Sequence, residues 1–388
     1  MANKLAIYIF GDFKSGAADG LAEFSYQNVQ LLKDHFTFNF IEFDAHQNQE
    51  YHHQELREGI QIYRFGNSGV KSYQLPKALK TWLRSLDKTN ILFHLHHIYN
   101  LTNYAIARIL VKLSLPYLIT PHDAYVYCAS HQKNRPLGKR IYRTTLNWIF
   151  DKYVLDHATL IHALTPQCNN CLKELTKTPV KVVANQVNDM GIAFDPNSLR
   201  SDVCYIGRFS IEQKGIDRAL RGFGLFKKTA DTQNVRFVMI GPAVEAAVQT
   251  REQLVKELDL TVPDDVFFTG KVSESDRNNL LSHSKVYMQM SRYEGFGLSV
   301  AQALSCYKPV IISKQIPISG QIINHKAGYV VDTTEEAAAA LKELFSLSES
   351  DYLQMSNNAR TCYEKEFYPS VIRPQLIDLY ESAFEMSN

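Results

Sequence analysis

The chain has 388 residues, 45% of them hydrophobic and 21% charged, with a net charge of +2: ordinary globular composition, too long for one core and suited to two. No apolar run approaches the ~20 residues that cross a bilayer as a helix, which excludes a spanning segment. Residues 1–195 carry +5 and residues 196–388 carry −3, an asymmetry that suggests an anionic partner for the front half but is too small for a dedicated nucleic-acid binder.

Lys4–Phe10 reads as a first strand rather than a signal peptide, because only Lys4 precedes a short apolar stretch that stops at Gly11-Asp12. Phe36–Phe43, Ile60–Phe65, Ile91–His96, Tyr117–Thr120, Leu160–Ala163 and Val180–Ala184 read as further strands. Leu21–Lys33, Pro76–Leu86, Thr102–Leu113 and Gly138–Asp156 read as amphipathic helices between them. Continuous apolar strands alternating with helices predict parallel sheets covered on both faces, the α/β class. Asn185–Asp202 breaks the rhythm with Asp, Asn, Gly and Pro and reads as a linker. Strands restart at Val203–Gly207, Arg236–Gly241, Val266–Gly270, Ser284–Met290, Pro309–Ser313 and Gly328–Val331, with helices from Ile216, Ala246, Ser273, Leu298 and Glu335.

The predicted layout is therefore two Rossmann-like doubly wound domains, residues 1–193 and 199–368. A closing helix within 369–388, apolar at helical spacing over Ser370–Phe384, is expected to pack back on the first domain. In such folds ligands bind beyond the carboxyl ends of the strands, here expected in a cleft between the two domains.

Two segments of the second half suit a phosphorylated sugar. Cys204–Arg208 ends a strand, and Phe209–Gly215 leads into the helix from Ile216. Gly207 admits close backbone approach, Arg208 can grip two oxygens, Lys214 adds a point charge and the helix dipole assists. A strand-turn-helix with merely solvated cations is the bland alternative. Ser291–Ser299 again follows a strand and precedes a helix; Glu294 can accept from hydroxyls while the glycine amides beside it donate.

With these residues in view the chain resembles a known family. Ile206-Gly207-Arg208, Lys214-Gly215 and Glu294-Gly295-Phe296-Gly297-Leu298-Ser299 resemble the donor-site motifs of retaining GT-B glycosyltransferases of family 4. Thr120-Pro121-His122-Asp123-Ala124-Tyr125, followed by Cys128, resembles that family's strand-end His-Asp-aromatic motif, and Ala163-Leu164-Thr165 and Val183-Ala184-Asn185 match the segments after it. The resemblance implies that Arg208 and Lys214 neutralise the donor diphosphate as its charge builds, that Glu294 holds sugar hydroxyls beside the amides of Gly295, Phe296 and Gly297, and that Leu298 and Ser299 lie against the diphosphate. Lys271-Val272 would contact the base through the backbone. The family's second acidic residue, on the nucleotide ribose, corresponds to Gln302, which keeps hydrogen bonding but loses charge assistance, a difference on the order of 1 kcal/mol. His122 would sit near the anomeric carbon. Gly16 and Gly20, in the Gly-rich loop 11–20, would approach donor phosphate and acceptor.

His96, His97, Asp123 and Tyr125 are acceptor-side candidates. His94, His96 and His97 form a strand-end cluster, but neighbours on alternating faces do not converge on one ion and no further ligand follows at metal spacing. No metal site is expected, and Arg208 and Lys214 take the cation's place. Cys168-Asn169-Asn170-Cys171 lacks the partners of a zinc or redox motif, and the six cysteines without framework spacing fit a reducing cytoplasm. Two basic groups, Lys77, Lys80, Arg84 and Lys88, and Lys133, Arg135, Lys139, Arg140 and Arg143, are by default solvated faces. Both fall in the front half, so attachment to an anionic lipid or a lipid diphosphate is the sharper hypothesis.

The resulting expectation is a retaining, metal-independent hexosyl-type glycosyltransferase. It would move sugar from a UDP- or GDP-sugar to a saccharide or lipid-linked acceptor in surface polysaccharide or glycolipid assembly. The nucleotide-sugar is substrate and no cofactor is expected. The enzyme would work in the cytoplasm, peripheral at the inner face of the membrane, with no nucleic-acid partner. No residue stands out as a covalent nucleophile, which favours front-face attack. On the same fold an epimerase or a glycogen-type phosphorylase are the rivals, the latter calling for a pyridoxal lysine and a longer chain. A catalytically silent donor-binding or scaffolding subunit, motivated by Gln302, is the alternative from another class.

Overall fold

The computed structural model describes residues 4–13, 20–44, 52–66, 74–98, 100–122, 149–229, 232, 234–243 and 245–387. The chain divides into two compact units, Met1–Gln186 with Ile372–Asn388, and Val187–Val371.

In the first unit eight strands form one sheet: β1 (Ala6–Phe10), β2 (Thr37–Asp44), β3 (His52–Arg57), β4 (Ile60–Gly66), β5 (Ile91–His96), β6 (Tyr117–Thr120), β7 (Leu160–Ala163) and β8 (Val180–Val182). Their spatial order is β3-β4-β2-β1-β5-β6-β7-β8, parallel except for β3 against β4. Helices α1 (Gly20–Leu32), α2 (Lys77–Ser85), α3 (Leu101–Lys112), α4 (residues 149–156) and α5 (Pro166–Leu175) connect them. Because strand side chains alternate, Tyr8 and Phe10 of β1 enter one core layer with Leu79 and Leu83 of α2. Ile7 and Ile9 enter the other, with Val29 and Leu32 of α1. That second layer is completed by Ile372, Leu376, Leu379 and Tyr380 of the last helix, α13 (Pro369–Glu385).

The sequence did not announce β3. It is a polar edge strand with no buried face, and only its two-residue turn betrays it: Glu58 and Gly59 both take positive φ, 50° and 80°, as a hairpin of that length requires.

The second unit carries six parallel strands, β9 (Arg200–Ile206), β10 (Arg236–Ile240), β11 (Val266–Gly270), β12 (Ser284–Gln289), β13 (Val310–Ser313) and β14 (Gly328–Val331), ordered β11-β10-β9-β12-β13-β14. Its helices are α6 (Ile216–Lys227), α7 (Glu245–Glu257), α8 (Glu274–His283), α9 (Leu298–Ser305), α10 (Ser319–His325), α11 (Thr334–Phe345) and α12 (Glu349–Glu366). β9 starts inside the expected linker, where Asp202 is held by Arg236 at 3.1 Å, an ion pair that lets a charged residue lie in a strand. Helix α12 escaped prediction because it is polar almost throughout and buries only Tyr352, Ser356, Ala359, Cys362 and Tyr363.

Cys168, Cys204, Cys306 and Cys362 are buried and outside any disulfide, whereas Cys171 is disulfide-bonded. The two cysteines of the Cys168–Cys171 motif therefore do not pair with each other, and the disulfide at Cys171 runs against the expectation of a chain read as lacking one. Among the described residues no helix is long and apolar enough to cross a membrane.

Candidate functional site

The strand order of the second unit reverses between β9 and β12: the chain runs outward through β10 and β11 on one side and through β13 and β14 on the other. At such a switch point the two loops leaving the carboxyl ends diverge and open a crevice. Both donor-type motifs leave from these two strands. Residues 207–215 follow β9, and residues 290–297 follow β12.

The loops are fastened to each other. Gly215 has φ 60°, and a Cβ there would lie 2.1 Å from the Met290 carbonyl oxygen, so glycine alone lets the first loop pass against the end of β12. The Arg292 N–H donates to the Gln213 carbonyl at 2.8 Å. The Arg292 guanidinium grips Asp217, in the first turn of α6, with two bonds of 2.7 and 2.6 Å. This bidentate pair raises the already high pKa of Arg292. Neither Arg292 nor Asp217 was singled out from sequence.

Held this way, Lys214 and Glu294 meet at 2.7 Å, with side chains 17% and 9% exposed. Glu294 Oε1 also accepts from Gln289 Nε2 and from Ser291 Oγ, each at 2.7 Å. Gln289 Oε1 in turn accepts from Tyr287 OH at 2.6 Å and Ser299 Oγ at 2.9 Å. Burial raises the Tyr287 phenol well above its ordinary pKa and keeps it a donor. The Ser299 hydroxyl, expected to face an anion, is thus spent on Gln289. Arg208 is exposed, and among the described residues its guanidinium bonds only to Gln213, at 3.2 Å, so its charge is available to a ligand. Gly297, φ 109°, caps α9 with no side-chain cap, and Phe296 is buried while Gly295 and Leu298 are half-buried. Gln302 lies one turn further along α9. Lys271 and Val272 follow β11, two strands from β9, and do not join the network.

The first unit has its own switch point between β1 and β5. Gly20 opens α1; Gly16, Asp123 and Tyr125 lie outside the described residues, as do Cys128 and the basic group Lys133–Arg143. His94 and His96, two apart in β5, share one face, with ring centroids 4.1 Å apart. His162 of β7 Nε2 meets the Val183 carbonyl at 2.9 Å; a carbonyl only accepts, so Nε2 carries the proton and Nδ1 accepts from Thr120. Thr120 Oγ1 then accepts from His94 Nε2 at 2.8 Å, and His94 Nδ1 accepts from Tyr380 of α13 at 2.9 Å. One directed chain of hydrogen bonds thus crosses three strands and the last helix. Beside it His96 Nδ1 and His122 Nε2 lie 3.0 Å apart, while among the described residues the buried His96 Nε2 has no hydrogen-bond partner. Asn103 fixes the carbonyls of His96 and His97, at 2.6 and 2.9 Å, and the Phe24 ring meets His122 edge-on at 5.6 Å.

Burial depresses His94, His96 and His122 well below the ordinary histidine value and His162 to about 4, so the cluster is neutral near pH 7. Among the described residues no group of three or more His, Cys, Asp or Glu is disposed to hold a metal ion.

Sequence reasoning missed Gln289, Tyr287, His162 and Tyr380. Gln289 and His162 did leave one signal, a polar residue within an otherwise apolar strand.

Comparison with known proteins agrees with the second unit's geometry. Residues 194–361 match the family described as glycosyl transferases group 1. A trehalose phosphorylase of Grifola frondosa is 36% identical over 100 residues, 26% of this chain and 14% of that protein. An uncharacterized glycosyltransferase of Bacillus subtilis, YqgM, is 24% identical over 182 residues, 47% of this chain and 49% of that protein. The chain therefore spans half or less of the curated relatives it matches first. Sucrose-phosphate synthase from Thermosynechococcus elongatus superposes with a TM-score of 0.73 at 18% identity, over 98% of this chain and 100% of that one. The fold is α/β with two Rossmann-like parallel sheets, matching GT-B structures.

Proposed function

We propose that the chain is a retaining glycosyltransferase that moves a sugar from a UDP- or GDP-sugar to a saccharide or lipid-linked acceptor. The observation that carries this reading is the junction of Lys214 and Glu294 beside the open charge of Arg208, inside the segment matched to glycosyl transferases group 1. A diphosphate needs cations and a sugar needs hydroxyl acceptors; this crevice presents both within one network.

In the proposed reaction the bond from the anomeric carbon to the diphosphate oxygen breaks and a bond to the acceptor oxygen forms on the same face. The acceptor's proton passes to the leaving diphosphate. Arg208 and Lys214 stabilise the charge that grows there, a role worth roughly 2–4 kcal/mol for each fixed donor. Glu294 accepts from the sugar's hydroxyls, and Gly295, Phe296, Gly297, Leu298 and Ser299 present backbone to sugar and phosphate. Gln302 takes the ribose, and Lys271 and Val272 the base. His122, with His96 and His97, receives the acceptor in the first unit. With two side-chain cations at the diphosphate, turnover requires no metal. The α2 side chains Lys77 and Arg84, with Lys88 beyond it, are exposed while Leu79 and Leu83 are buried. That outward basic face supports peripheral contact with an anionic membrane surface.

The likeness to trehalose phosphorylase favours a second reading, in which inorganic phosphate exchanges with a glycosidic oxygen at the same cations. Incubating the protein with UDP-glucose, UDP-galactose and GDP-mannose, with and without chelator, and following free nucleotide tests the proposal. Nucleotide release that survives the chelator is expected. Release abolished by chelator and restored by a divalent ion overturns the metal-free mechanism. Phosphate-dependent cleavage of a disaccharide without any nucleotide-sugar turnover supports the phosphorylase, and no turnover with tight nucleotide binding supports a silent subunit.

A further inference from the structure

We propose that Gln289 is the positioning residue that aims Glu294 at the sugar, an inference that rests on Glu294 being the sugar's hydroxyl acceptor. Gln289 ends β12, is fully buried, and is flanked by the buried apolar residues Met288 and Met290. An amide at such a place is costly unless its hydrogen bonds are all met. Here they are. Its oxygen takes the hydroxyls of Tyr287 and Ser299, and its nitrogen donates to Ser291 Oγ at 2.9 Å and to Glu294 Oε1 at 2.7 Å. A carboxylate only accepts, so the amide has one orientation, nitrogen toward Glu294.

The consequence lies in how Glu294 is shared. Lys214, Gln289 and Ser291 all converge on Oε1, and among the described residues Oε2 receives no hydrogen bond, leaving it as the ligand-facing acceptor. Lys214 is the member of the trio that an anionic ligand can draw away. Gln289 is rooted in a central strand and cannot follow. It holds Oε1 whether or not Lys214 has turned to a diphosphate, so the carboxylate keeps its aim when the donor arrives. Through Ser299 the same amide also registers the first turn of α9 against Glu294.

The test is calorimetric titration of wild type, Gln289→Leu, Gln289→Glu and Glu294→Gln with UDP, GDP, UDP-glucose and GDP-mannose. The readout is the affinity advantage of the nucleotide-sugar over its nucleotide, which isolates the sugar's contribution. Gln289→Leu is expected to cut that advantage about 10- to 100-fold, as for loss of a hydrogen bond to a charged group, and to leave nucleotide affinity within about twofold.

Gln289→Glu keeps the shape should the leucine variant fold poorly. It sets two carboxyls together, which share a proton at lower pH, and the protonated one donates as the amide did. Its advantage should therefore be weak at pH 8.5 and recover at pH 6.5, a profile that mere loss of packing would not produce. An unchanged advantage in both Gln289 variants, with Glu294→Gln impaired, overturns the proposal while sparing the role of Glu294. An unchanged advantage in Glu294→Gln, or no nucleotide-sugar binding by wild type, overturns both.

Discussion

Mild acid should destabilise the first unit. His94, His96, His122 and His162 are buried and neutral, and burial holds their pKa values below those of the unfolded chain. Between the folded value and about 6.5, the unfolded chain binds a proton that the folded chain refuses, so stability present above pH 6.5 is lost as pH falls. For His162, with a folded value of about 4, the loss at pH 5 is about 2 kcal/mol and levels off below pH 4. The other three act in the same direction. Each of the three is pushed further down by neighbouring histidines, His97 among them, and an imidazolium at His94 has no lone pair for the Tyr380 hydroxyl, which would have to turn from donating to accepting and so break the directed chain. Against a typical domain stability of about 5–15 kcal/mol this is a large fraction. The assay is urea unfolding followed by tryptophan emission at pH 7.5, 6.5, 5.5 and 5.0. Trp82 packs in the first unit and residues 187–371 contain no tryptophan, so the emission does not report the second unit. Loss of about 2 kcal/mol moves the midpoint by about 1 M urea, and more if the four histidines add. A midpoint constant from pH 7.5 to pH 5 would refute the reasoning and mean that the folded unit accepts these protons.

Two further outcomes follow from the loops. Gly215→Ala must move the backbone, since its Cβ would stand 2.1 Å from the Met290 oxygen at φ 60°; a loss of roughly 1–3 kcal/mol in the second unit is expected, and unchanged thermal unfolding would contradict it. Gln302→Glu should preserve or improve nucleotide affinity, because a carboxylate accepts from ribose hydroxyls with charge assistance. A large loss by calorimetry would mean that the Gln302 amide donates to something essential.

Much of the fold was legible because its strands are continuous apolar runs. All six residues of Ile91–His96 are buried, as a central parallel strand demands. The exceptions share a cause: β3, α10 and α12 bury too little to print an apolar period. The motif residues Lys214 and Glu294 could be proposed from their neighbours in sequence, but their meeting depends on Gly215 and Arg292 closing one loop on the other. Gln289 was invisible as a partner of Glu294 because a strand's register decides which face its amide occupies. The chain from His94 to Tyr380 spans 286 positions and exists only once the last helix has returned to the first sheet.

The most direct test of the central claim is Arg208→Ala. Arg208 is exposed and among the described residues its guanidinium makes one hydrogen bond, to Gln213, so its removal leaves the fold untouched, unlike Lys214, whose loss strips a partner from the nearly buried Glu294. Nucleotide release from the sugar donor that wild type turns over, measured beside thermal unfolding, should fall by about 2–4 kcal/mol of transition-state stabilisation, some 30- to 1,000-fold, with unfolding unchanged. Wild-type rates in a normally folded Arg208→Ala would contradict the assignment of this crevice to a departing nucleoside diphosphate.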